Sequence, residues 1–91
     1  MKKKSIKIAP SDPVYAIGIV SKLLHMPEWT LRHLEKEGLV RPKRMNKKTR
    51  FYSMKEVQRL EYIHYLMDEK GVNVSGIKII LEQGFLKERE L

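Results

Sequence analysis

The chain has 91 residues, room for one small domain with a thin core. Nineteen Lys and Arg stand against eleven Asp and Glu, and the net charge of +8 suits nucleic acid, an acidic membrane surface or a merely soluble basic protein. The lack of cysteine excludes disulfides, thiolate metal sites and cysteine redox sensing from this chain, and no apolar run nears the roughly 18 residues that cross a bilayer.

Residues 1–14 read as a basic flexible arm. Lys2, Lys3 and Lys4 open it, and Pro10 and Pro13 oppose regular helix. Ile6 and Ile8 alternate with polar neighbours and would suit a brief strand. A tail touching phosphates loosely is the preferred reading. No hydrophobic signal region follows the lysines, so a cytoplasmic protein is expected.

The first helix lies within 14–26. Ile17, Val20 and Leu24 fall on one apolar stripe with Leu23 beside it, and Ser21 and Lys22 lie on the other side. His25-Met26-Pro27-Glu28 breaks the pattern. Pro27 is tolerated in a turn or in a first helical turn, and Glu28 suits the positive end of the next helix.

That second helix begins at Trp29 and stops at Gly38. Leu31 and Leu34, three apart, face a core, while Thr30, Arg32 and His33 leave the surface together. A helix anchored on one side and presenting arginine on the other suits the DNA major groove. Trp29 reads equally as a base-contacting side chain and as a plug under the turn. Two helices joined by so short a link are a helix-turn-helix candidate.

Between Arg41 and Arg50 lie six basic residues (Arg41, Lys43, Arg44, Lys47, Lys48 and Arg50) and no acidic one. The run ends in Phe51 and Tyr52, with alternation that suits a strand. It reads as a two-stranded hairpin, or wing, over 43–52. Its tip lies near Asn46, a residue that accepts positive φ. A solvated loop is the plain alternative, but the position directly after the second helix favours a phosphate-gripping wing.

Ser53 and Glu56 form a capping box for a helix over about 54–70, with Val57, Leu60, Ile63, Leu66 and Met67 buried. Tyr62 and Tyr65 read as core edge and His64 as structural or exposed. Gly71 caps that helix, and Asn73 starts the next, whose apolar face is Val74, Ile77, Ile80 and Leu81. Gly76 inside it implies close packing, and Gly84 is expected to end it. Residues 84–91 are a short tail.

With these parts in order, the chain resembles the MerR family of bacterial transcription regulators over about 15–82. The matching text is Tyr15-Ala16-Ile17-Gly18-Ile19-Val20-Ser21-Lys22-Leu23-Leu24, then Leu31-Arg32, then Glu35-Lys36-Glu37-Gly38-Leu39-Val40-Arg41-Pro42-Lys43-Arg44, then Arg50-Phe51-Tyr52-Ser53. Pro13-Val14-Tyr15-Ala16-Ile17 and Lys70-Gly71-Val72-Asn73-Val74-Ser75-Gly76-Ile77-Lys78 look like the HspR-type heat-shock repressors. The glutamine-responsive nitrogen regulators share the second stretch.

The resemblance implies a mainly α fold: a winged helix-turn-helix over 15–83 with a small β-hairpin wing and two further helices. It implies a homodimer on an inverted-repeat operator in double-stranded DNA, no cofactor, and for the heat-shock branch a DnaK-type chaperone as co-repressor. The protein would then be nucleoid-associated. Arg32 matches the recognition-helix arginine, and His33 and Leu34 stand where many members carry two tyrosines. Arg50 matches the wing arginine and Tyr52 the aromatic at the wing's base. The expected DNA-contacting set is therefore Trp29, Thr30, Arg32 and His33 on the helix, and Arg44, Lys47, Lys48, Arg50 and Tyr52 on the wing. Lys22, Arg41 and Lys43 are backbone auxiliaries. The wing tip lacks the family's usual glycine. Members usually dimerise through a long helix after the head, but only ten residues follow Leu81. Dimerisation would then use the arm or last helix, or this is a truncated head.

Two rivals remain. An RNA-binding accessory protein would use the same basic loop with Phe51 and the nearby tyrosines. A protein-interaction adaptor would dock an acidic partner. An enzyme is disfavoured, because the sequence has no paired carboxylate site, nucleophile motif or phosphate-binding glycine loop, and His25, His33 and His64 lack metal-ligand spacing.

Overall fold

The longest helix begins where its cap dictates. In the computed structural model, which describes residues 7–83, Ser53 Oγ accepts the Glu56 N–H at 3.2 Å and Glu56 Oε1 accepts the Ser53 N–H at 3.0 Å. The elements in chain order are β1 (Tyr15–Ala16), α1 (Ile17–Leu24), α2 (Glu28–Lys36), β2 (Lys43–Met45), β3 (Thr49–Tyr52), α3 (Met54–Asp68) and α4 (Val74–Glu82). The fold is thus mainly helical with a small antiparallel sheet, as the sequence implies. Residues 1–6 and the expected stop at Gly84 with its tail lie outside the described residues.

Helix α3 is the beam of the core. Val57, Leu60, Ile63 and Leu66 recur at three-residue spacing and are buried, with Met67 at their edge. Against this stripe pack Val20 of α1, Leu31 and Leu34 of α2, and Ile77 of α4. Leu23, expected beside the α1 stripe, is more than half exposed. The α3 helix closes at Asp68, slightly earlier than expected. Gly71 then takes φ +65°, and the Val72 N–H reaches back to the Leu66 carbonyl at 2.9 Å. At the start of α4, Asn73 Oδ1 accepts the Gly76 N–H at 2.9 Å. A Cβ on Gly76 would stand 2.8 Å from Val72 Cγ1, so the close packing expected there is real.

Three features depart from the sequence reading. First, Tyr15 and Ala16 form a strand before α1, pairing antiparallel with Tyr52 and Phe51. The expected hairpin is present as β2 and β3, and β1 extends it to a three-stranded sheet in the order β1-β3-β2. Two residues are too short to show a period of two. Second, part of the arm is tied down. The Asp12 carboxylate accepts the Ala9 N–H at 2.9 Å, and the Pro10 carbonyl accepts the Lys55 N–H at 3.0 Å, satisfying a free donor in the first turn of α3. Third, Tyr52 is fully buried, so it contacts the core and not a ligand. It sits between the wing and α3 because β3 runs directly into the Ser53 cap.

The Tyr52 hydroxyl is buried and has no hydrogen-bond partner among the described residues. Burial first, and then the nearby Glu35 charge, push its pKa up to about 12 from 10.0. A raised pKa means that the stability held by the neutral phenol is complete below pH 10 and is lost as pH rises toward 12. Tyr52→Phe removes both the unpaired hydroxyl and this titration. Denaturant unfolding at neutral pH should show the variant about 1 kcal/mol more stable, with its advantage growing through that alkaline window. A variant less stable at both pH values would contradict the assignment.

Candidate nucleic-acid interface

The turn between α1 and α2 is built by one unusual backbone residue. His25 takes φ 55°, a left-handed conformation, and the His25 and Met26 N–H groups both reach the Ser21 carbonyl. The Ser21 hydroxyl donates to the Met26 carbonyl at 2.5 Å. This reversal drops the Met26 side chain into the core. Met26, not Trp29, is therefore the plug under the turn.

Trp29 is 69% exposed and so does not fill the turn. Pro27 precedes α2 in an extended conformation and Glu28 occupies its first turn, as expected. Leu31 and Leu34 are fully buried, whereas Trp29, Arg32, His33 and Lys36 are exposed and Thr30 is half-buried. One helix thus anchors by leucines and offers an aromatic, a guanidinium and an imidazole outward. Arg32 Nη2 lies 3.0 Å from Glu28 Oε1 one turn earlier, both side chains being half exposed. Such a pair contributes well under 1 kcal/mol and leaves the guanidinium available.

The end of α2 is pinned from two directions. Gly38 takes φ +80°, and the Leu39 N–H returns to the Leu34 carbonyl at 3.0 Å. Arg59 of α3 donates from Nε to the Leu39 carbonyl at 2.7 Å. Lys78 of α4 pairs with Glu37 at 3.1 Å, and this hydrogen bond holds the Glu37 carboxyl below the usual carboxylate range. Neither Arg59 nor Lys78 carries a local sequence signal, because their partners lie 20 and 41 residues away.

The wing follows. Lys43, Arg44 and Met45 pair with Phe51, Arg50 and Thr49. At its tip, Asn46 and Lys47 take φ 55° and 63°, and the Lys48 N–H donates to the Met45 carbonyl at 3.2 Å. Two successive positive φ values are what a tight primed hairpin turn demands. Asn46 tolerates this, so the hairpin forms without a glycine at its tip. Lys47 bears it as strain.

Of the basic run, Arg41, Lys43, Arg44, Lys47 and Lys48 are exposed, as is Lys22 on α1. Arg50 is not. Its side chain is 18% exposed and its Nε is hydrogen-bonded to Glu35 Oε1 of α2. Arg44 Nη2 approaches the other oxygen of the same carboxylate at 3.4 Å. Glu35 therefore joins α2 to both strands of the hairpin. The geometry brings the α2 face and the wing together, with Arg50 inside the joint and Tyr52 beneath it. The sequence gives Glu35 no local partner, because its arginines lie nine and fifteen residues away.

Among the described residues no group of three or more His, Asp or Glu side chains is close enough to hold a metal. Nor is any described helix long and apolar enough to cross a membrane. His64 pairs with Asp68 at 3.4 Å, and Tyr62, packed at the edge of the core, stacks on the exposed Tyr65 at 6.2 Å.

An anchored helix pair whose second helix carries a clamped basic hairpin defines a winged helix-turn-helix protein. Residues 15–84 match the MerR family of helix-turn-helix regulatory proteins, and the chain belongs to that family. A Streptomyces coelicolor protein named as the heat shock protein HspR is 31% identical over 81 residues, 89% of this chain and 54% of its own length. The HTH-type transcriptional regulators GlnR of Bacillus anthracis and Bacillus cereus are each 37% identical over 71 residues, 78% of this chain and 54% of theirs. The chain thus spans about half the length of the curated relatives it matches. These descriptions are of regulators and not of enzymes.

The strain at the wing tip is open to test. Lys47→Gly should raise the unfolding free energy by about 1 kcal/mol, the cost of holding a side chain in the left-handed region. Lys47→Val, with its branched Cβ, should lower it. Thermal melts ranking Val above Gly would show that the tip does not have this conformation in solution.

Proposed function

We propose that this chain is a sequence-specific, duplex-DNA-binding transcriptional regulator. One observation carries the reading: a single helix buries Leu31 and Leu34 while presenting Trp29, Arg32 and His33 outward, next to a clamped wing of exposed cations. Trp29, Thr30, Arg32 and His33 read a half-site in the major groove. A bidentate arginine–guanine contact there would be worth roughly 1–3 kcal/mol of discrimination. Arg44, Lys47 and Lys48, with Lys22, Arg41 and Lys43 as auxiliaries, neutralise phosphates. Each such contact adds about 0.9 to the salt-dependence slope.

A head of this size binds weakly alone, so a homodimer on an inverted repeat is the working assembly. Similarity to HspR supports a repressor acting on heat-shock and chaperone promoters, with a DnaK-type chaperone as co-repressor and a cytoplasmic, nucleoid-associated setting. Similarity to GlnR supports a nitrogen-type regulator as the second reading. The RNA alternative loses one of its stacking aromatics to the core with Tyr52, and Phe51 is half-buried.

Selection from random duplex DNA at one fixed salt, with single-stranded RNA as competitor, tests this. An enriched inverted repeat is expected. No enrichment, or displacement by RNA at matched charge, would replace the reading by the RNA-binding or adaptor alternative. On the recovered duplex, Arg32→Ala should relax sequence preference. Lys47→Ala with Lys48→Ala should weaken all duplexes alike and lower the salt slope by about 1.8, twice the single-contact value. Equal effects of both changes on selected and random DNA would refute the division of labour between helix and wing.

A further inference from the structure

We propose that Glu35 is a positioning residue for DNA binding, and that the two arginines it holds have different fates: Arg50 stays on Glu35 as a strut, and Arg44 is handed to a phosphate. This deepens the duplex-DNA reading and rests on it. The two guanidiniums are cross-strand partners in the hairpin register, Arg44 opposite Arg50. Like charges directly opposite one another destabilise a strand pair. The Glu35 carboxylate relieves this by offering one oxygen to each. It does so from α2, so the contact that neutralises the hairpin also sets where the wing stands relative to the recognition helix.

The two contacts are unequal. Arg50 is 18% exposed and bonded closely through Nε, whereas Arg44 is 46% exposed and stands 3.4 Å away. Removing one member of a half-buried pair leaves an uncompensated charge, so Arg50 is costly to release. The Arg44 contact is long and wet and contributes little, so a phosphate oxygen replaces it readily. Exchange of a carboxylate for a phosphate at Arg44 leaves the strut standing.

The test separates this from simple electrostatics. Removing a negative charge beside the basic wing should strengthen binding to a polyanion if Glu35 merely competes for arginine. Positioning predicts the opposite. Glu35→Gln should bind a mixed-sequence 24-base-pair duplex roughly fivefold more weakly, the scale of a charged hydrogen bond weakened to a neutral one. Its Arg50 and Phe51 amides should exchange with solvent faster while those of α3 are unchanged, which also shows that the variant folds. Arg44→Ala should leave the wing amides protected and lower the salt slope by about 0.9. Tighter or equal binding by Glu35→Gln, or weaker binding with wing exchange unchanged, would overturn the proposal. So would an unaltered salt slope in Arg44→Ala. If the wild-type protein binds no duplex at low salt, the functional reading fails instead, while amide exchange in the free protein still decides whether Glu35 holds the wing.

Discussion

A single carboxylate fixes the relation between the two surfaces that matter in this protein. Glu35 sits on α2 and holds Arg50 of β3 and Arg44 of β2. Without it the hairpin would carry five cations with no counter-charge beside them and would lose its direct tie to the helix. The pair with Arg50 is half-buried, and that burial gives it force. Screening by salt is weak there, and loss of either partner strands a charge in a poor solvent. The outer cations remain in water, where they are cheap to hold and ready to exchange counterions for phosphates.

The rest of the fold keeps that joint in place. Helix α3 supplies a continuous apolar stripe, and the leucines of α2 press against it. Its own Arg59 reaches the Leu39 carbonyl at the end of α2, while Lys78 of α4 holds Glu37. The far end of the wing's third strand runs straight into the α3 cap, with Tyr52 buried between. Strand β1 closes the sheet from the other side and feeds α1. Helix α2 and strands β1 and β3 of the wing are thus tied to different parts of one small core. Such redundancy lets a 91-residue chain present a rigid surface despite limited buried area.

What the sequence reveals, and what it hides, divides by range. The capping box at Ser53 and Glu56, the Asn73 cap, the positive φ at Asn46 and the leucine pair of α2 are all written within four residues, and local chemistry is enough to read them. The stripes of α3 and α4 are periodic and equally legible. The strand at Tyr15 and Ala16 is not, because its only reason to exist is a partner nearly forty residues away. The same holds for Arg50, which looks like its neighbours in a basic run, and for Arg59 on α3, outside that run: neither shows its role until its acceptor is located. That Met26 and not Trp29 fills the turn is hidden for a related reason. Which of two apolar side chains fills a turn depends on the left-handed residue between the helices, and His25 gives little notice of adopting that conformation.

The family membership and the geometry support the proposal of a helix that enters a groove while a wing grips beside it. The molecule carries its own reporter for this. Trp29 is the chain's single tryptophan, stands 69% exposed and lies on the outward face of α2. Acrylamide quenching of its fluorescence, measured free and then saturated with duplex DNA, therefore asks directly whether that face is covered. The account predicts strong protection on binding, greatest with a selected inverted repeat. Full binding with Trp29 as open to the quencher as in the free protein would contradict it, because the wing would then be holding DNA without the helix.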